Sequence, residues 1–161
     1  MKTLVVYYSR SNVTRKIAEM IREKLDCDIE EITDAGKYGG KIGYMKGGFD
    51  ATTGKTTKIN EITKNPSDYD LVIVGTPVWA SNMATPVYSY LIKYSDQIND
   101  IAPFCTCISG GYEKTFRRCW RSLPSSFSTS SSAASAPISP PWIPLSVSSI
   151  PPTIWASLPS A

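Results

Sequence analysis

The chain of 161 residues contains no histidine. This removes the commonest general base and metal ligand of neutral-pH chemistry, and with it every Ser-His or Cys-His hydrolytic arrangement. Long apolar runs are also lacking, and no segment approaches the roughly 20 residues needed to cross a bilayer. The N-terminus carries Lys2 and then a short strand-like run, without the pattern of a signal peptide. The expectation is a cytoplasmic protein with no membrane insertion. Cysteine is sparse: Cys27, Cys105, Cys107 and Cys119 show neither a disulfide framework nor zinc-ligand spacing. Cys105 and Cys107 fall on one face of an expected strand, where thiols behave as small buried hydrophobes.

A charge excess is lacking over most of the length. The formal charge is +3, yet all 14 acids lie within residues 1–114, beside 14 of the 17 Lys and Arg. The surplus is Arg117, Arg118 and Arg121. A nucleic-acid footprint needs clustered Lys and Arg with aromatics on one face, and none is present. The length suffices for one domain with a real core.

What remains is an alternation of β and α patterns. Residues 3–8 (Thr3-Leu4-Val5-Val6-Tyr7-Tyr8) read as a buried strand, with β-branched and aromatic residues and no polar alternation. Residues 12–25 switch to helical spacing: Val13, Ile17, Met20, Ile21 and Leu25 share a stripe predicted to face the core. Residues 27–32 form a weaker strand, and the order implies a right-handed crossover. From Gly36 to Lys58 the sequence is Gly-rich and polar but holds Tyr38, Tyr44, Met45 and Phe49. It is long for a connection; a short helix near 44–51 and a role in covering a site are read here, beside a plain surface excursion. Residues 70–75 are the clearest central strand. A helix follows over 85–94, with Pro86 suited to its first turn, and a fourth strand over 101–108. The array argues a doubly wound α/β fold with a parallel sheet, with its βα loops at one edge where ligands bind.

Beyond Phe116 the composition changes. No Gly, Asp, Glu or Lys occurs there, and eight of the chain's 12 Pro lie beyond residue 120 among many Ser. A natural disordered Ser/Pro-rich tail is one reading; Trp120, Trp142 and Trp155 speak against it. The favoured reading is a slip of reading frame. Arg117-Arg118-Cys119-Trp120-Arg121-Ser122-Leu123 can be encoded AGG AGG TGC TGG AGA AGC TTG. Shifted back one base behind a G, this reads Glu-Glu-Val-Leu-Glu-Lys-Leu, an amphipathic continuation of Glu113-Lys114-Thr115-Phe116. The expected organisation is a domain over 1–116 and an atypical tail over 117–161, without the last strand and helix that would close the sheet.

Three loops carry the chemistry. Ser9-Arg10-Ser11-Asn12-Val13-Thr14 follows the first strand and opens a helix, whose N-terminal amides attract anions. Ser9, Ser11 and Thr14 add hydroxyl donors and Asn12 tolerates unusual turn angles, so the loop suits a phosphate; taken alone it is also an ordinary helix cap. Thr76-Pro77-Val78-Trp79-Ala80 follows the central strand. Its small and polar neighbours leave Trp79 little to pack against, so the ring is expected to stack on a flat ligand. Ser109-Gly110-Gly111-Tyr112 lets backbone approach closely and offers a second aromatic wall.

In combination these loops resemble those of the flavodoxin family, over residues 1 to about 116. The departures are Asn12, where a Gly is common, and the whole tail. The resemblance implies a sheet order of 2-1-3-4-5 and FMN as cofactor, its phosphate on Ser9 to Thr14 and its ring between Trp79 and Tyr112. It implies electron transfer with redox protein partners. The alternative on the same fold is an FMN-dependent NAD(P)H or quinone oxidoreductase. A phosphoacceptor signalling domain needs acids clustered at the strand ends, and none follow the first or third strand. No catalytic side chain and no metal site is assigned.

Overall fold

The computed structural model describes residues 1–34, 38 and 40–124; the tail beyond lies outside the described residues. The elements run β1 (Thr3–Tyr7), α1 (Val13–Leu25), β2 (Asp28–Glu31), α2 (Gly40–Thr53), β3 (Leu71–Trp79), β4 (Asn82–Met83), α3 (Thr85–Tyr94), β5 (Ile101–Thr106) and α4 (Tyr112–Arg121). The expected strands and helices are all present; α3 keeps its expected bounds, and the other elements differ at one end or both. The fourth expected strand stops at Thr106, because Ser109-Gly110-Gly111 turns the chain into α4. The helix expected near 44–51 is longer, and a two-residue strand, β4, was not foreseen.

Four strands pair in parallel in the order β2-β1-β3-β5, and β4 folds back antiparallel on the end of β3. Among the described residues no strand pairs with the outer edge of β5. The register sets Val5 opposite Ile29 and Ile73, and Val74 opposite Pro103. Strand side chains alternate between the two faces, so Leu4, Val6, Val72 and Val74 enter one apolar cluster, while Val5, Tyr7 and Ile73 enter another. The first is the main core, roofed by Ala51 of α2, Val87, Tyr90 and Leu91 of α3, and Cys119 of α4.

The second face is thinner. Among the described residues, α1 is the helix that contributes to it, through Ala18 and Ile21. The stripe expected on α1 is corrected here: Val13, Met20 and Leu25 are 43%, 42% and 51% exposed, and the buried residues are Thr14 and Ala18. Small residues at 14 and 18 let the helix sit close to β1, which rotates the larger side chains to its flanks. Arg15 ties the helix to β2 through Glu31 at 2.5 Å.

The composition change at 116 falls inside α4, which runs on to Arg121 with Thr115 and Cys119 buried. Leu123 packs against the main core.

Candidate functional site

The C-terminal ends of β1, β3 and β5 lie side by side, so all three loops singled out in the sequence emerge along one edge. In the first, Asn12 takes the left-handed conformation at φ 62° and opens α1 without a side-chain cap. This is the geometry for which a Gly is common, and Asn bears it through its short polar side chain. Arg10, Ser11 and Asn12 are exposed at the rim. Thr14 is buried, and its hydroxyl lies 2.9 Å from that of Thr106, the last residue of β5. The Ser9 hydroxyl is buried and has no hydrogen-bond partner. An unpaired buried hydroxyl costs about 1–3 kcal/mol. Beside the unsatisfied amides of a helix N-terminus, it fits an anion that the free chain does not supply.

The second loop is shaped by its own hydrogen bonds. The Thr76 hydroxyl accepts from the Ala84 amide at 3.0 Å and donates to the Pro77 carbonyl at 3.0 Å. Trp79 pairs with Asn82 across a two-residue turn, in which Ala80 (φ 47°) and Ser81 (φ 60°) are both left-handed. Hairpins of this kind call for Asn-Gly, and each non-glycine residue held there costs about 1–3 kcal/mol. The Asn82 amide steadies the turn by donating to the Ala80 carbonyl at 3.0 Å.

Trp79 is not the bare ring expected. It is 8% exposed and packs edge-on against Tyr8 and Tyr38, at centroid distances of 5.5 and 5.4 Å. α2 covers it as well: a Cβ at Gly47 would lie 2.8 Å from the ring. The neighbours in sequence are small, as noted, but the ring is buried by residues distant in the chain. Trp79 therefore braces the turn from beneath, while Pro77 and Val78 are half-buried and Ala80 is exposed.

The third loop meets the second directly. Gly110 (φ 127°) and Gly111 (φ 82°) hold backbone angles that other residues seldom adopt, and a Cβ on Gly111 would lie 2.7 Å from the Ser81 Cα. Tyr112 is half-buried and Ser109 is exposed. Thus the structure joins the first loop to the end of β5 through Thr14 and Thr106, and closes the 109–112 turn onto Ser81.

Three contributors escaped the sequence reading: Tyr8, Gly47 and Thr106. Thr106 stands only three residues before the Ser109 turn, which was the available signal; Gly47 had none. Cys105 and Cys119 are buried, and burial pushes both thiols up to about 12. They are inert core groups. Among the described residues no cluster of His, Cys, Asp or Glu could hold a metal, and no helix is long and apolar enough to cross a membrane.

A family model described as Flavodoxin matches residues 2–132. The chain belongs to the flavodoxin family. Among curated proteins none matches this flavodoxin-family chain. A flavoprotein from Lactobacillus acidophilus NCFM, solved in complex with FMN, superposes with a TM-score of 0.67 at 25% identity, over 75% of this chain and 85% of that one. The apo form of the flavoprotein from Lactobacillus acidophilus NCFM gives 0.60 at 27% identity, over 76% and 86%. A WrbA-like flavodoxin from Agrobacterium tumefaciens gives 0.52 at 17% identity, over 75% and 70%, and shares the fold.

Proposed function

We propose that the chain binds FMN at the C-terminal ends of β1, β3 and β5 and serves as an electron carrier. The observation that carries this is the buried, partnerless Ser9 hydroxyl at the head of α1, in a family with an FMN-bound relative. Ser9, Ser11 and Thr14 with the first amides of α1 would hold the phosphate. The Thr76–Ala80 turn and the Ser109–Tyr112 turn would flank the ring, with Tyr112 as the aromatic wall and Trp79 bracing the turn from below. When bound, FMN supplies the one- and two-electron chemistry; the protein supplies orientation and sets the local polarity. The peptide groups of residues 76–81 are the levers for the latter.

Titration of the purified protein with FMN tests this: quenching of flavin fluorescence with a bound-flavin spectrum is expected. No binding by the folded protein would overturn it. The lack of net charge over residues 1–114 argues against strong electrostatic steering toward a redox partner.

A second reading, an NAD(P)H or quinone reductase, draws on α2. Its outer side exposes Ile42, Met45 and Phe49, at 85%, 77% and 61%, while its inner side packs on Trp79. This is apolar surface beside the flanking turn, suited to an apolar substrate. Stopped-flow mixing separates the two: rapid bleaching of bound FMN by NADPH alone selects the reductase.

We also propose that the composition change after residue 116 marks a frame slip, so that 117–161 is not the natural end of the domain, while the helix α4 still carries the main core on to Cys119. The support is the loss of Gly, Asp, Glu and Lys beyond Phe116.

A further inference from the structure

We infer that Thr106 is a positioning residue for anion binding at the head of α1, acting through Thr14; this rests on the FMN reading above. The two hydroxyls lie 2.9 Å apart, with their residues 1% and 8% exposed. A hydroxyl has one proton and two lone pairs, so the pair has two arrangements. If Thr14 donates to Thr106, Thr14 turns only lone pairs toward the loop, and these repel a phosphate oxygen. If Thr106 donates to Thr14, the Thr14 proton is free to donate to the anion. A bound phosphate selects the second arrangement.

Two further observations favour a role beyond a staple between α1 and β5. The Ser9 hydroxyl in the same loop is buried with no partner, so the loop lacks an acceptor that a phosphate would provide. Thr106 also stands opposite Pro77 in the sheet register and precedes the 109–112 turn. It therefore joins all three loops, and its β-branched side chain holds few rotamers. Among the described residues no other side chain hydrogen-bonds to Thr14.

The test compares FMN with riboflavin, which lacks the phosphate. Thr106→Val keeps the shape and removes the donor; Thr106→Ser keeps the donor. With wild-type protein preferring FMN, Thr106→Val should weaken FMN about fivefold, the worth of about one neutral hydrogen bond, because Thr14 loses the donor that keeps its own proton turned to the anion. Riboflavin binding should stay within about twofold, and Thr106→Ser should restore the preference for FMN. If Thr106→Val weakens both flavins equally, or neither, Thr106 is only a staple and the inference falls. Wild-type protein that binds riboflavin and FMN equally would also overturn it, while leaving flavin binding intact. Failure of wild-type protein to bind either flavin would overturn the FMN reading itself and this inference with it.

Discussion

At the residue scale, Ser9 offers a test in which stability and binding move in opposite directions. Its hydroxyl is buried without a partner, so Ser9→Ala removes a desolvation cost and should stabilise the flavin-free protein by about 1 kcal/mol. The same change removes a phosphate donor and should weaken FMN about tenfold. Thermal melts of the free protein and FMN titrations check the two halves; a variant less stable and unchanged in affinity would assign Ser9 to packing alone. The thiols give a second prediction. Burial holds Cys105 and Cys119 far above the ordinary thiol range, so at pH 8 they carry almost no thiolate. A raised value means that reactivity appears only as pH climbs toward it. Iodoacetamide at pH 8 followed by mass spectrometry should label half-buried Cys107 well before either. Early labelling of Cys105 would mean that the end of β5 opens readily.

At the element scale, the Ala80-Ser81 turn stores strain at the place the FMN reading uses. Replacing the pair with Asn-Gly meets the hairpin's own preference and should stabilise the protein by about 1–2 kcal/mol, seen as a raised midpoint in urea. Unchanged stability would show that Gly111 and Asn82, packed on the turn, already absorb the strain. What could be read in advance divides along the same line. β1 and the first part of β3 are largely apolar runs rich in β-branched residues and mostly buried, so the pattern and the burial coincide. The phosphate-type loop was legible because its residues are consecutive. Trp79 was misread because its cover is not local: α2 presents Gly43 and Gly47 inward and Ile42, Met45 and Phe49 outward. An apolar count sees the wrong side of such a helix. Thr106 was missed for a related reason, since its meaning arises only when the register sets β5 beside β3 and the crossover brings α1 over both.

At the scale of the whole molecule, the described residues cover the two faces of the sheet unequally. α2, α3 and α4 all supply the main core, whereas α1 is the one helix in the smaller cluster, where Ala102 and Phe104 of β5 are only partly buried. Met20 and Leu25 on α1 are also exposed. A parallel sheet normally has both faces covered, and an edge left without a partner, as that of β5 is among the described residues, is a template for association. Fully covering one large apolar side chain is worth roughly 2 kcal/mol. The frame-slip reading turns this imbalance into a comparison of two chains. If residues beyond 116 are out of frame, a frame-corrected chain is expected to continue α4 and to add the strand and helix that would close the sheet, burying several such side chains. It should then melt at least about 5 °C higher and bind less of a dye that reports exposed apolar surface, such as ANS, than the present chain. FMN affinity should be similar in both, because Ser9–Thr14, Thr76–Ala80 and Ser109–Tyr112 precede the change. Equal melting and equal dye binding would show that the present residues 117–161 cover the sheet adequately, and the slip would lose its physical support.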